Sequence, residues 1–237
     1  PRSCACPNGY EGNGETCTFI LPTSVAELEA GDLMITEIQA NPESVSDANG
    51  EWFEIYSPSK TVNLDGLVIR DAGGTEITVN TAMAVNGRSL VIEAREYVVF
   101  ARSADQASNG GIEADFSYSA LSLNNDGDSL ILLATGTVID AVTYAQASPG
   151  ASYSFNGDLE PNADLNNDAN NFCDGQSEIN ASDKGTPGQA NDICPLCRPG
   201  FEETADGECQ DINECAVNNG GCADKASCQN NEGAAPT

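Results

Sequence analysis

The cysteines of this chain lie near its two ends and leave the middle free of them. Of ten cysteines, three fall within residues 4–17 and seven within residues 173–228. Small modules that cannot bury a large core are held by disulfides in oxidising compartments. The pattern predicts disulfide-stabilised ends around a middle region that folds on its own core, in an extracellular or cell-surface protein.

Zinc binding is the alternative for these cysteines, and the residues do not favour it. The chain contains no histidine and no paired C-x-x-C knuckles, whereas zinc sites use Cys and His at short spacings. Cys194-Pro195-Leu196-Cys197 has the spacing of a redox motif, but no βαβ pattern surrounds it. The cysteines are therefore predicted to form structural disulfides.

The charge balance excludes two classes of partner. The chain has 37 acidic and 9 basic residues and a net charge of −28, which argues against nucleic acids and anionic membrane surfaces and favours divalent cations. No apolar stretch approaches the roughly 20 residues that span a bilayer, so membrane insertion is not expected. Because the chain begins at Pro1 without a signal peptide, we expect it to be processed or excised from something longer.

From about residue 31 to residue 155 the chain is a series of short apolar runs separated by turn residues. The predicted strands are 33–38, 52–56, 64–69, 77–79, 89–92, 97–101, 129–133 and 138–142. Turn residues every 8–12 positions and the absence of helical periodicity predict an all-β fold, an antiparallel sandwich. Large apolar residues of such strands bury against the facing sheet, so Trp52, Ile55, Leu67 and Leu132 are predicted in the core.

Three glutamates within these runs need a separate interpretation. Glu37, Glu51 and Glu54 are expected on the solvent face of the sheet or at strand ends. A metal site among them is the less favoured alternative.

The middle region resembles the lamin tail domain family. The resembling segments are 31–38, 41–42, 50–56, 63–66, 124–133, 140–144 and 185–191, in the family's order, so the resemblance covers about residues 31–192. It implies an immunoglobulin-like antiparallel β-sandwich. No coiled-coil heptads precede the segment, which makes it similar to the secreted bacterial type rather than to a lamin filament.

The two ends resemble complementary halves of a calcium-binding EGF-like module. Residues 4–17 resemble its closing half, and residues 211–237 resemble its opening half, including Asp211-Ile212-Asn213-Glu214-Cys215. The resemblance implies a Ca²⁺ site that uses the side chains of Asp211, Glu214 and Asn230 and the carbonyl of Ile212. Calcium prefers such hard oxygen ligands.

The same resemblance implies how the cysteines pair. Cys6–Cys17 and Cys215–Cys228 close within the chain, whereas Cys222 and Cys4 are left to form an inter-repeat disulfide between successive copies. Cys194, Cys197 and Cys209 resemble the closing half of a further module, which implies Cys197–Cys209 and leaves Cys194 for Cys173.

The expected domains are a closing EGF-like half at 1–17, a linker at 18–30, a lamin-tail-like sandwich with its C-terminal loop at 31–192, a partial EGF-like module at 193–210 and an opening EGF-like half at 211–237. The leading hypothesis is a structural repeat unit of an extracellular filament, stalk or surface appendage. Its partners would be further copies of itself, head to tail, in one polypeptide or as separate subunits.

The competing hypothesis is a secreted adhesin or matrix protein whose sandwich binds a glycan or a surface protein. Tyr10, Tyr118 and Tyr153 are the candidate exposed aromatic residues. An enzyme is not expected, because histidine is absent, the carboxylates are dispersed and no nucleophile or nucleotide motif occurs.

The sequence contains two further, weaker motifs. Residues 164–170 offer oxygens at alternate positions but lack the glycine and glutamate of an EF-hand, so a second calcium site there is the minor alternative. Asn180-Ala181-Ser182 is an N-glycosylation sequon.

Overall fold

A computed structural model describes residues 4–6, 10–19, 21–197, 201–204, 209–216 and 228–230. The chain separates into two compact units, Pro1–Cys194 and Pro195–Thr237.

The described part of the first unit consists of short strands joined by turns. In chain order the strands are β1 (Tyr10–Gly12), β2 (Cys17–Phe19), β3 (Thr23–Ser24), β4 (Met34–Gln39), β5 (Trp52–Tyr56), β6 (Val62–Asn63), β7 (Val68–Asp71), β8 (Glu76–Thr78), β9 (Val91–Ile92), β10 (Tyr97–Ala101), β11 (Phe116–Ser117), β12 (Asp128–Ala134), β13 (Thr137–Tyr144), β14 (Tyr153–Phe155) and β15 (Phe172–Asp174). One helix, α1 (Asp47–Gly50), precedes β5, and short 3-10 turns lie at Val25–Glu27, Val85–Gly87 and Ala169–Asn171.

Two sheets form the sandwich. One has six strands in the order β11-β10-β5-β4-β14-β15, and the other has four in the order β13-β12-β7-β8. The pairs are antiparallel except for β10 with β11 and, in a small third sheet β3-β6-β9, β3 with β6. The predicted all-β sandwich is confirmed, with these two short parallel pairs as additions.

The hairpin of β12 and β13 shows how the local sequence sets the register. Thr135 and Gly136 both have positive φ, at 48° and 85°, which suits a tight turn between two strands. The pairing shifts between Leu132 and Leu133, so that Leu132 faces Asp140 while Leu133 faces Val138. Such a bulge bends the strand and changes which side chains point inward.

The core between the sheets consists of aliphatic and aromatic side chains from alternate strand positions. Ile35, Ile55, Leu67 and Leu132 are completely buried, and the ring of Phe53 stacks on that of Phe100 at 5.1 Å between centroids. Burial of such side chains stabilises the fold by roughly 1.5–3 kcal/mol each.

Trp52 is buried as predicted but not in the main core. It lies on the other face of the six-stranded sheet, in a second cluster with Val99, Ala101 and Ile112. The six-stranded sheet is therefore covered on both faces. The chain that follows β15, including Ile179 and residues 185–191, supplies part of this second cover.

The described part of the second unit is a small hairpin and a 3-10 turn. Its strands β16 (Phe201–Glu203) and β17 (Cys209–Asp211) pair antiparallel, and the turn covers Glu214–Ala216. Cys197–Cys209 and Cys215–Cys228 are its disulfides. Within the residues that the structure describes, no helix has the length and apolar character needed to cross a bilayer.

Candidate functional site

Two neighbouring glutamates on the six-stranded sheet are completely buried. Glu37 of β4 and Glu54 of β5 face each other across the strand pair, and both have 0% exposure. The expectation that they face solvent is wrong. Alternation places Glu54 opposite the main core, and the register shift between Ile35 and Glu37 turns Glu37 to the same face. That face is covered by residues 185–191, and a buried carboxylate needs hydrogen-bond donors to remain there.

Glu37 collects its donors from two segments that follow far along the chain. Its Oε1 accepts hydrogen bonds from the hydroxyls of Ser152 and Ser154 at 2.5 and 2.8 Å and from the backbone N–H of Thr186 at 3.0 Å. Its Oε2 accepts from the Thr186 hydroxyl at 3.1 Å. Burial raises the pKa of Glu37, and these hydrogen bonds oppose the rise.

Glu54 holds the next residues of the same loop. Its Oε1 accepts from the Thr36 hydroxyl, and its Oε2 accepts from the backbone N–H of Gly188, both at 2.7 Å; Gln189 also donates its backbone N–H. Burial raises the pKa of Glu54 well above its ordinary value, and the nearby charge of Glu37 adds to the rise. The two carboxylates therefore form a clamp that attaches residues 186–189 to the sheet. We call this the carboxylate clamp.

The clamp depends on a glycine where the loop approaches the sheet. A Cβ at Gly185 would lie 2.8 Å from Glu37 Oε1, 2.8 Å from Ser152 Oγ and 3.1 Å from Cζ2 of Trp52. None of these atoms is free to retreat, because all three residues are buried. Any other residue at this position would push the loop away from the sheet.

Glu51 is also buried, with 1% exposure, so its predicted solvent position is wrong as well. Its Oε2 accepts from the backbone N–H of Leu123 and from the Arg102 guanidinium, each at 3.1 Å. Burial raises the pKa of Glu51, whereas these two donors lower it. Glu51 thus joins α1 and β5 to the loop that precedes β12. Its partners give it a structural role.

Two cavities border the carboxylate clamp. The larger measures about 650 Å³ and the smaller about 220 Å³. The larger is lined by Val85, Asn86, Gly87, Arg88, Tyr97, Ala104, Gln106, Glu113, Ala114, Asp115, Pro187, Gly188 and Gln189. Tyr97 lines both cavities, and its ring stacks on Tyr56 at 4.3 Å between centroids. We call the larger cavity the cleft.

The three tyrosines that were candidates for surface recognition differ in their exposure to solvent. Tyr118 is 5% exposed and packs in the main core, so its predicted exposure is wrong. Tyr153 is partly buried and stacks on Phe172 at 4.4 Å. Tyr10 is exposed and contacts Phe19 edge-on across the first hairpin. The aromatic residue at the cleft, Tyr97, was not among the candidates.

The structure brings together two of the four predicted calcium ligands. Nδ2 of Asn230 donates to Oδ2 of Asp211 at 2.6 Å. Ile212 directly follows Asp211, and the side chain of Glu214 lies outside the described part of the structure. Exchanging the two ends of the Asn230 amide would present its oxygen beside the Asp211 carboxylate, as Ca²⁺ coordination requires.

In the described part of the chain, no three His, Cys, Asp or Glu side chains cluster closely enough to hold a metal ion. At the alternative site, 164–170, the side chain of Asn166 is buried and donates to Asp140 at 2.9 Å. Asp168 accepts from the backbone N–H of Asn170 at 3.0 Å. These bonds explain the order of this loop without an ion.

Four disulfides join the cysteines in the pairs that the EGF-like resemblance implies: Cys6–Cys17, Cys173–Cys194, Cys197–Cys209 and Cys215–Cys228. They indicate an oxidising environment. Cys4 is exposed and forms no disulfide with any cysteine in the described part of the chain, whereas Cys222 lies outside the described residues.

Asn180 is fully engaged in the folded chain. Its Nδ2, the atom that a glycan would occupy, donates to the carbonyl of Gly110 at 2.9 Å and to Asp183 Oδ2 at 3.0 Å. Its Oδ1 accepts from the backbone N–H of Ser182 and of Asp183 at 2.9 Å each. With a further bond to Ser44 Oγ at 3.3 Å, the predicted glycan at Asn180 would have to replace three hydrogen bonds of Nδ2.

The family model Lamin Tail Domain matches the chain over residues 27–146. That span is slightly more than half of the 237 residues. It ends before β14, so the loop that the carboxylate clamp holds lies beyond it. Neither a curated protein nor a solved structure matches the chain.

Proposed function

The chain belongs to the lamin tail domain family, and from that premise we propose that it is a non-catalytic structural repeat unit of an extracellular filament, stalk or surface appendage. Successive units would join head to tail through a split, calcium-binding disulfide module. The family supplies the sandwich, and the disulfide-rich ends supply the joint. Four disulfides support an oxidising, extracellular location.

The observation that carries the proposal is the position of Cys4. It is exposed and unpaired, yet it belongs to a structured module. A Cβ at Gly14 would come within 2.4 Å of the Cys4 carbonyl carbon, so the two backbones are in close contact. Gly14 has a φ of +83°, and the neighbouring Cys6–Cys17 disulfide closes the same module. A thiol presented in this way suits a bond to Cys222 of another copy.

Calcium would stiffen the joint. The bond between Asn230 and Asp211 and the disulfide Cys215–Cys228 bring together oxygen-bearing residues that are far apart in the sequence. A Ca²⁺ ion held by Asp211, Ile212, Glu214 and Asn230 would neutralise part of the negative charge where two copies meet. With a net charge of −28 per copy, such neutralisation favours close contact.

The mass of the native material under denaturing conditions tests the joint, with and without reduction. Separate subunits joined by Cys222 and Cys4 would give a ladder that collapses to 24.6 kDa on reduction. A reduced chain several times heavier would show repeats within one polypeptide.

A matched pair of variants strengthens this test. Cys4→Ser should abolish a ladder of separate subunits, and Ser3→Ala, next to it, should leave the ladder intact. A 24.6 kDa species under both conditions, with two free thiols per chain, would contradict the head-to-tail proposal.

A second candidate function is adhesion, in which the sandwich binds a glycan or a surface protein. The observation that favours it is the cleft beside the carboxylate clamp, with the partly buried Tyr97 in its wall. Adhesion and a structural role are compatible, because the cleft and the disulfide modules use different residues.

A further inference from the structure

We propose that the cleft is a binding site for a neutral saccharide, an inference that rests on the second candidate function. Four separate segments form its walls: the turn Val85–Gly87, residues 104–106, residues 113–115 and the clamped residues 187–189. A volume of about 650 Å³ lies within the usual range of ligand sites.

The walls are held in place before any ligand arrives. Asp115 accepts from Arg88 Nε at 2.8 Å and from the backbone N–H of Val99 at 2.9 Å. Arg88 also pairs with Glu96. On the opposite wall, Glu54 accepts the Gly188 N–H at 2.7 Å. Ligand binding therefore orders few groups, which lowers its entropic cost.

The polar side chains that remain available in the cleft are mainly amides. Asn86, Gln106 and Gln189 line it, and in the described part of the chain their side chains make no hydrogen bond with the protein. Each amide can donate and accept at once. A sugar hydroxyl can do the same, so the two groups are complementary.

Tyr97 supplies the apolar contact that a sugar ring needs. Tyr56 covers one face of its ring, and the phenol borders both cavities. The electron-rich face of an aromatic ring attracts the weakly positive C–H groups of a pyranose. An oligosaccharide extending past Tyr97 would enter the smaller cavity.

Charge and side-chain size select the class of ligand. Among the lining residues, Arg88 is already paired, while Glu113 carries a carboxylate that makes no ion pair in the described structure. A sulfated or uronic-acid chain would be repelled, and a neutral one would not. Besides Tyr97, the apolar lining residues are few, namely Val85, Ala104, Ala114 and Pro187, so the cleft offers little apolar surface to the large anchor residue typical of peptide recognition.

The test is calorimetric titration of the full chain with neutral hexasaccharides of glucose, mannose and N-acetylglucosamine. We expect saturable binding of at least one of them and no binding of a heparin-derived hexasaccharide. Gln106→Ala and Gln189→Ala should each weaken the binding about fivefold, the effect of one lost neutral hydrogen bond. Gln146→Ala, an exposed amide outside the cleft, is the matched control and should have no effect.

Three results would overturn the inference. One is the absence of binding to all neutral hexasaccharides. Another is binding that the two cleft variants and the control leave equally strong. The third is binding of a lysine-rich peptide, but of no saccharide, that the cleft variants weaken; adhesion would then stand and the ligand class would be wrong. None of these results affects the disulfide-linked mass that tests the head-to-tail joint.

Discussion

Glu37 and Glu54 hold the loop at residues 185–189 against the sheet, a role that apolar side chains have elsewhere in the fold. The loop at residues 185–189 has little hydrophobic surface to bury, since it reads Gly-Thr-Pro-Gly-Gln. Its attachment comes instead from backbone N–H groups that donate to two buried carboxylates. Hydrogen bonds to a charged acceptor are stronger than neutral ones, which offsets part of the cost of burying these groups.

Two substitutions of Glu54 should distinguish its role as a hydrogen-bond acceptor from its role as an ionisable acid. In Glu54→Ala, the N–H groups of Gly188 and Gln189 lose their acceptor and a cavity remains, so we expect a loss of about 3 kcal/mol in the free energy of unfolding. In Glu54→Gln, the amide oxygen can still accept from the loop while the Thr36 hydroxyl turns to accept from the new N–H. We expect that variant to stay within about 1 kcal/mol of the wild type.

Urea denaturation measures both variants of Glu54, and amide hydrogen exchange at Gly188 and Gln189 locates the effect. Glu29→Gln, at an exposed position whose side chain makes no hydrogen bond in the described structure, serves as the control. Unchanged stability and exchange in Glu54→Ala would show that the carboxylate clamp does not hold the loop.

Asp140 makes the free energy of unfolding depend on pH. Burial raises its pKa from 3.8 to about 6, although the backbone N–H of Ile35 and the amide of Asn166 donate to it. The folded state therefore binds this proton more tightly than the unfolded state does. The stabilisation is complete below about pH 4 and is lost as the pH rises to about 6, by up to about 3 kcal/mol.

Asp140→Asn should remove that part of the pH dependence. The new amide can accept from the N–H of Ile35 and donate to Oδ1 of Asn166, which is buried without a partner in the described structure. Urea titrations from pH 4 to pH 8 should show a smaller decline in the variant than in the wild type. Parallel curves would contradict the raised pKa, because Glu37, Glu51 and Glu54 titrate in both proteins.

At the scale of strands and loops, the sequence was sufficient to predict the strands but not to predict what covers their second face. The strands at 52–56 and 97–101 have the predicted bounds, because β-branched and aromatic residues between turn residues identify a strand locally. What covers the second face of a strand is not local. Residues 156–192 contain few apolar side chains, so no hydrophobic pattern in them signalled that they cover a sheet.

The carboxylate clamp was therefore missed for a physical reason. Alternation distinguishes the core face of a strand from the other face, and it assigns Glu54 to the latter correctly. Glu37 reaches the same face through the register shift that follows Ile35, which alternation does not predict. Hydrogen-bonded cover leaves no hydrophobic pattern. The available signals were Gly185 and Gly188 in a short motif and two glutamates in otherwise apolar strands.

The segment beyond the family match should be essential for folding. A chain that ends at Pro149 keeps the matched residues 27–146 but lacks β14, β15 and the loop at 185–189. Glu37 and Glu54 would then lose most of their donors, and the cover over Trp52 would be removed. We expect no cooperative thermal unfolding in this chain.

A chain that ends at Cys194, the end of the first compact unit, is the matched comparison and should unfold cooperatively. The fluorescence of Trp52, the one tryptophan, reports the cover directly. A blue-shifted emission and a sharp transition in the shorter chain would show that residues 27–146 form a complete domain.

At the scale of the whole molecule, the two compact units should respond differently to calcium. The proposed ligands lie in the second unit, whereas the main core and its cover lie in the first. Chelation by EDTA should change the NMR signals of Asp211, Ile212 and Asn230 and leave the emission of Trp52 and the melting of the sandwich unchanged. Unfolding of the sandwich on chelation would contradict the prediction that calcium acts on the second unit and not on the first.

The long reach of the carboxylate clamp has a consequence for biosynthesis. Glu37 is synthesised early, but its donor Thr186 follows 149 residues later, so the sheet remains open on one face while the intervening chain is made. Where such units follow one another in one polypeptide, the first clamp loop to emerge is the unit's own. The order of synthesis thus protects each sandwich from capturing the loop of its neighbour, as long as folding keeps pace with translation.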